Sequence, residues 1–338
     1  AKQGIVRTEG NKVLRTLDVS SFYPNMAISN NLHPAHLGTT FCRVYKSLYD
    51  ERKSHPKGSG ANAALKLALN ASYGNSNNEF SPLYDPAYTM ATTVGGQLSL
   101  CMLMERLIDE CSAEIIMCNT DGFEYLIDKS YIDKADSLVK EWENTTKLEM
   151  EGDTYAVMYI ANVNNYISIT TSGKVKTKGA YELPDYKKEG YKSIAFEKHG
   201  WHKNHSAFVI PLAAVEFLVN DKPIEDTIMN WDNPYDFLLR TKVPRSSRLV
   251  LCYDDGREEL QQNICRYYPS VNGGKLVKIM PPLEEGGEER RLGIDTDWNV
   301  KTCNDIKDFT WNLNYDYYIT EAKKLVEAII PSVEEKPQ

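Results

Sequence analysis

The chain has 338 residues, 42% hydrophobic and 25% charged, a balance that can build a sizeable core and argues against intrinsic disorder. Its net charge of −8, taken alone, disfavours a nucleic-acid partner, because phosphate binding needs clustered Lys and Arg. Seven scattered cysteines, none in Cys-x-x-Cys spacing, disfavour a zinc or iron–sulfur site and point to reduced, intracellular thiols.

The chain opens Ala1-Lys2-Gln3, without an initiator Met or an apolar signal segment, as a fragment or processed product would. Residues 11–19, NKVLRTLDV, read as a strand after a Gly10-Asn11 turn. SSFYPNM leaves that strand through a polar turn. Residues 44–54 predict a helix, stopped by the Pro and Gly of HPKGSG. Asn62 is the expected N-cap of a second helix running to Tyr73, so 44–74 reads as a short helical hairpin. The longest uncharged run, Pro86 to Met104, raises a membrane question, but its Thr, Gly, Gln and Ser residues are too polar for a span. Met90, Val94, Leu98 and Met102 recur every four residues and predict a soluble helix with one buried stripe.

MCNTDGFEYL, residues 117–126, reads as a hairpin, since Asp-Gly between alternating apolar residues is a strong turn signal. YIANVNNYISIT and GKVKTKGAYE alternate as strands about a Gly173 turn. Residues 174–203 gather eight lysines among four acidic residues, with His199, His202 and His205 adjoining. Such a run is either a solvated face or a polyanion-tracking one. From about residue 206 helix candidates alternate with loops, MPPLEEGGEERR being an exposed charged loop. DYYITEAKKLVEAII is an amphipathic helix with Tyr318, Ala322, Leu325 and Ile329 on one side.

Three stretches carry chemistry together. In Leu17-Asp18-Val19-Ser20-Ser21-Phe22-Tyr23-Pro24 an apolar strand ends in a carboxylate, and the following turn exposes backbone amides that can cradle phosphate. In Lys66-x-x-x-Asn70-x-x-Tyr73-Gly74, a rotation of about 100° per residue puts a cation, an amide and an aromatic on one helix face. Arg52, on the preceding antiparallel helix, can join Lys66 across the hairpin. The third stretch is Asp121 at its strand turn. Two lone carboxylates on strand ends suit a shared pair of hard cations such as Mg²⁺, which takes few carboxylates plus substrate phosphate oxygens.

In the order and spacing of these stretches the chain resembles the family B (alpha-like) DNA polymerases, most closely their bacteriophage members. Residues 17–24 look like motif A, 66–74 match motif B, and 119–122 sit where motif C, Asp-Thr-Asp-Ser, is expected. NNYISIT followed by Lys178-Gly179 resembles the primer-gripping elements, and Tyr317-Tyr318-Ile319 resembles the opening of a late thumb helix. The likeness covers nearly the whole chain.

The resemblance implies an α+β right-hand fold with an antiparallel palm sheet, short helical-hairpin fingers and a mainly helical thumb. Palm would be residues 1–43, fingers 44–78, palm again 79–205 and thumb 206–338. It implies Asp18 and Asp121 as catalytic ligands of two Mg²⁺ ions, replaceable by Mn²⁺, with the Val19 carbonyl assisting and Asn119 and Thr120 around them. Ser21 and Phe22 amides, Arg52, Lys66 and Asn70 would bind the triphosphate, Tyr23 would lie beneath the sugar and exclude a 2′-hydroxyl, and Tyr73 would border the nascent base pair. Tyr166, Lys176 and Lys178 would track primer DNA. Implied partners are primer-template DNA, deoxynucleoside triphosphates and a separate exonuclease or processivity subunit, with no membrane, in the cytoplasm (of a host cell for a phage protein).

The departures are specific. Asn119 and Gly122 replace the outer Asp and Ser of motif C, and Asn-Asn-Tyr lacks the two lysines of the primer motif. The short Asp18–Lys66 interval leaves little room for the insertion of protein-primed relatives, which favours a nucleic-acid primer. No exonuclease motif precedes Asp18. The rival expectation is a degenerate, non-catalytic DNA-binding module, motivated by Asn119, the missing lysines and the acidic net charge. A primase-like enzyme is a weaker one.

Overall fold

The computed structural model of the chain describes residues 1–183, 206–284, 286–295 and 297–331. Most of the lysine run, from Lys187 to Lys203, and the three adjoining histidines lie outside the described residues. Two compact units divide the chain: Ala1–Lys2, Val6–Met158 and Ile169–Lys174 form the first, and Gln3–Ile5, Tyr159–Ser168 and the chain from Val175 onward form the second.

After β1 (Gly4–Arg7), the first unit is built on β2 (Lys12–Val19), the helices α1 (Phe22–Ser29), α2 (Thr40–Ser54), α3 (Gly60–Gly74) and α4 (Pro86–Cys111), the strands β3 (Glu114–Cys118) and β4 (Gly122–Asp128), and α5 (Ile132–Thr146). It also holds most of β5 (Met150–Asn162). The strands run β3-β4-β2-β5 with every pairing antiparallel. The order continues through β6 (Asn165–Thr170) to β7 (Val175–Lys178), and β1 also pairs with β5.

Strand alternation gives this sheet two different faces. Leu17 and Val19 of β2 and Phe123, Tyr125 and Ile127 of β4 form one apolar core with Leu100, Leu103 and Leu107 of α4 and Leu138 and Trp142 of α5. Each such buried side chain contributes roughly 1.5–3 kcal/mol. The Trp142 indole N–H donates to the Ser99 carbonyl at 2.6 Å, tying α5 to α4. The opposite face carries Thr16, Asp18 and Glu124 among its residues.

The second unit continues with α6 (Val209–Asn220), α7 (Ile224–Met229), β8 (Leu239–Lys242), β9 (Arg248–Cys252), β10 (Glu258–Gln261), β11 (Ile264–Met280), β12 (Arg290–Ile294), β13 (Val300–Thr302) and α8 (Tyr315–Glu327). The long strand β11 organises an antiparallel sheet of order β10-β9-β11-β12, and also pairs with β8 and β13. Tyr318 of α8 is fully buried in a core with Phe237, Tyr268 and Ala213, and its hydroxyl donates to the Phe237 carbonyl at 2.8 Å.

Four expectations change. The region from residue 206 is not mainly helical, because six strands lie between Leu239 and Thr302. They escape a reading by pattern because most are short and carry polar residues on the alternating positions, as in Glu258-Glu259-Leu260-Gln261. SSFYPNM is not only a turn; it opens α1, whose Pro24 falls in the first turn, where a missing N–H costs nothing. The cap of α3 is Ser59, whose hydroxyl accepts the Asn62 N–H. On α4 the expected stripe of Met90, Val94, Leu98 and Met102 faces outward, and Tyr88, Thr92, Gly96, Leu100, Leu103, Leu107 and Cys111 are buried. Both stripes have helical spacing, and the small residues select the inner one: Gly96 lets the Phe22 ring pack directly on the helix backbone. No helix among the described residues is long and apolar enough to cross a membrane.

Candidate functional site

Asp18 lies at the end of β2, in register with Gly122 of β4, so the two aspartates sit one residue out of step across the strand pair. The Val19 N–H donates to the Asp121 carbonyl at 2.7 Å, which draws the two strand ends together. The β3–β4 turn is held by Asn119. Its side-chain Oδ1 accepts the N–H groups of Asp121 (3.1 Å) and Gly122 (2.8 Å), while its own N–H donates to the Gly122 carbonyl at 3.0 Å. The neutral amide is therefore a turn lock, a common use of Asn. At Gly122 a β-carbon would fall inside the contact radius of Asp18 Oδ1 and the Leu17 carbonyl oxygen. Asn119 thus fixes the β3–β4 turn, and Gly122 permits the close approach of β2 to β4.

Sequence reasoning missed Glu124. It is 2% exposed and opposes Thr16, on the same sheet face as Asp18. The Thr16 hydroxyl lies 3.5 Å from both Asp18 Oδ2 and Glu124 Oε1, and among the described residues Glu124 Oε2 has no hydrogen-bond partner. Burial, and then the charge of Asp18 with a smaller push from Asp121, drives the Glu124 carboxyl up to about 7. The local pattern GFEYL gives no signal of this, because alternation puts Glu124 on the face opposite Phe123 and Tyr125; only the register with Thr16 shows it buried beside Asp18. Glu151 opposes Asp18 and Asp153 opposes Thr16 from β5, so this face of the sheet is strongly acidic.

The turn after β2 leads directly into the N-terminus of α1. Ser21 caps α1 with φ of 48°, a left-handed conformation rare outside glycine. As at any helix start, the first-turn amides of α1 have no intrahelical acceptor. Arg52 of α2 donates from Nη1 to Ser21 Oγ at 2.9 Å. The Asn25 amide donates to the Ser20 carbonyl (2.6 Å) and the Tyr49 hydroxyl (3.2 Å), which fastens α1 to α2. The Asn62 amide donates to the carbonyls of Arg52 and His55, both at 3.1 Å, and Tyr45 Oη donates to the Leu69 carbonyl at 2.6 Å, closing the α2–α3 hairpin.

The Tyr23 and Tyr73 rings stack at 4.2 Å between centroids and 18° between planes, bringing the first two sequence stretches into contact. Burial, then the neighbouring Tyr73 hydroxyl, then the Asp121 charge raise the Tyr23 hydroxyl above its ordinary range. Lys66 and Asn70 are exposed on α3, and among the described residues their side chains make no hydrogen bond or ion pair. Tyr166, Lys176 and Lys178 belong to the second unit, on β6 and β7. There Asn165, next to Tyr166, accepts the Ala180 N–H at 2.7 Å and so holds the turn after Lys178.

The donor set of Asp18 and Asp121 is all oxygen, which suits a hard divalent cation. Among the described residues no group of three or more His, Cys, Asp and Glu side chains is arranged to hold a metal ion. An ion held by these two carboxylates takes its remaining ligands from backbone, water and substrate oxygens, as Mg²⁺ commonly does. No family model matches the chain. No curated protein matches it either.

Proposed function

We propose that the chain is a template-directed DNA polymerase that adds deoxynucleotides to a primer 3′-end, with release of pyrophosphate, in phage replication. The observation that carries this reading is the meeting of three separate sequence stretches at one place: Asp18 beside Asp121 on adjacent strand ends, Tyr23 stacked on Tyr73, and Arg52 bonded to Ser21. On this reading β2–β5 belong to a palm and α2–α3 to the fingers.

Asp18 and Asp121, with the Val19 carbonyl, would hold two Mg²⁺ ions. Bound there, such ions activate a 3′-hydroxyl and neutralise charge on the leaving pyrophosphate. The chain's own residues do the positioning. The first-turn amides of α1 and the Arg52 guanidinium bind phosphates. Lys66 and Asn70, exposed on α3, are available to the same triphosphate. The stacked Tyr23–Tyr73 pair forms a flat floor for the sugar, with Tyr23 placed to reject a 2′-hydroxyl. Tyr166, Lys176 and Lys178 hold the primer backbone.

Primer extension by the purified chain tests this. Asp121→Ala is expected to lose at least about a hundredfold in rate, the scale of removing a group that stabilises transition-state charge. Equal incorporation by both proteins sinks the assignment. Mg²⁺-independent DNA binding with no incorporation by the parent would favour the non-catalytic module instead.

A further inference from the structure

A cavity of about 260 Å³ opens in the second unit, where the end of α6, the turn into α7 and the last turns of α8 meet. Its floor is apolar, made by Phe217, Pro223, Ile224 and Val326. Its rim is charged, made by Asp221, Glu225, Lys323 and Glu327. We propose that this cavity docks a short segment of a partner protein: one bulky apolar side chain flanked by Lys or Arg. The proposal stands apart from the polymerase reading, which gives none of these residues a role.

The floor sets the size of the anchor. Ile224 is buried in the core with Tyr318 and Ala322, and Val326 packs against that core. Phe217 of α6, by contrast, is 37% exposed. An apolar group laid on this floor removes its own surface and the Phe217 ring from water, which favours association. The volume is about nine times the share of one water in the liquid. It takes one large side chain and has no room for the row of anchors that a docked amphipathic helix presents.

The rim sets the charge of the flanks. Lys323 pairs with Glu225 at 2.7 Å, joining α8 to α7, so these two cancel. The neighbouring Lys324 is taken by Glu321, also at 2.7 Å. Among the described residues Asp221 and Glu327 make no ion pair, which leaves the rim with two uncompensated negative charges. Such a rim repels a phosphate backbone and attracts a cation held beside the apolar anchor.

The site is preformed. Asp221 ends α6 in a left-handed conformation with φ of 55°. Its N–H donates to the Phe217 carbonyl at 3.1 Å, and the Lys222 N–H donates to the Glu216 carbonyl at 3.3 Å. The Thr227 N–H donates to the Pro223 carbonyl at 3.2 Å as α7 begins. The turn that carries Asp221 and Pro223 is therefore fixed at both ends, and docking a segment there costs little ordering of the protein.

Fluorescence anisotropy of the full chain with three fluorescein-labelled peptides tests the site. The first is Gly-Ser-Lys-Phe-Arg-Ser-Gly, the second replaces both cations by Glu, and the third replaces Phe by Ser. The first is expected to bind with a dissociation constant below about 1 mM, and the other two at least about fivefold more weakly. Asp221→Asn/Glu327→Gln should weaken the first peptide by about fivefold. Asn tolerates the left-handed conformation at 221, so this variant keeps the turn. Lys323→Gln, which releases Glu225, should tighten the same peptide, and the opposite signs separate charge from damage to the fold. No binding of the first peptide, equal binding of all three, or unchanged affinity in the neutralised variant overturns the proposal. Sedimentation supplies the remaining outcomes. A parent that self-associates, and that becomes monomeric in Asp221→Asn/Glu327→Gln, would give the cavity to a second copy of the chain and overturn the proposal. Displacement of the first peptide by duplex DNA would give it to a nucleic acid and overturn it equally.

Discussion

At the scale of single residues, Glu124 is the most consequential. Its carboxyl is buried one strand away from Asp18, with one oxygen unpartnered among the described residues, which favours the neutral form. In the unfolded chain the same group ionises in the ordinary glutamate range, near 4.5, against about 7 in the fold. The folded state therefore holds the extra proton between these values. The stability this proton provides is complete below about pH 4.5 and is lost as pH rises through about 7. On the order of 3 kcal/mol is at stake, from roughly 1.4 kcal/mol per unit. Glu124→Gln, which stays neutral, should gain stability over the parent as pH rises from about 5 to about 8. Thermal melts in EDTA measure this without competing divalent cations, and a difference between the two proteins that stays flat with pH refutes it. The same residue shows what the sequence hid. Asp18 and Asp121 are legible because each ends an apolar run, whereas Glu124 looks like ordinary polar alternation until the register with Thr16 shows which face it occupies.

At the scale of elements, the path from α4 to the site runs through a glycine. A β-carbon at Gly96 would lie 2.7 Å from the Phe22 ring, whereas one at neighbouring Gly95 would lie 3.3 Å from the terminal methyl of Met26. Phe22 is buried and starts α1, directly after the Ser21 turn. Both glycines are mid-helix, so alanine at either gains up to about 1 kcal/mol in intrinsic helix propensity. At Gly95 the flexible Met26 end can move, and Gly95→Ala should be neutral to stabilising. At Gly96 the ring cannot move without shifting α1, and overpacking of this kind costs about 1–3 kcal/mol. Gly96→Ala should lower the melting temperature and weaken the nucleotide binding proposed at Ser21. Urea melts of the two variants decide it, and equal behaviour refutes the packing account.

This element also marks where pattern reading fails. The α2–α3 hairpin, β2 and the β3–β4 turn are visible in local signals. On α4 two stripes compete, and only the shape of Phe22 chooses between them. In β8–β13 the pairing with β11 supplies the order that the short segments lack by themselves.

At the scale of the whole molecule, the net charge of −8 and the proposed DNA partner are reconciled by distribution. Much of the negative charge has local work. Glu149 and Glu151 pair with lysines, Glu110 and Glu141 bind Arg106, and Asp136 binds Arg15. Asp18, Asp121 and Glu124 cluster at one sheet of the first unit. The cations proposed to meet DNA are concentrated instead in residues 174–203, of which Lys176 and Lys178 lie on β7. Binding of a duplex through these cations must be salt-dependent, because each neutralised phosphate releases condensed counterions. The logarithm of affinity for primer-template should fall linearly with the logarithm of salt concentration. Lys176→Gln/Lys178→Gln should weaken binding about equally for all sequences and make the slope shallower by about 0.9 for each phosphate no longer neutralised. A parallel slope in that variant would mean that these lysines form a solvated face and that the acidic chain holds DNA elsewhere. Loss of affinity for some sequences but not others would mean that they read bases, which backbone-tracking cations on a strand edge have no means of doing.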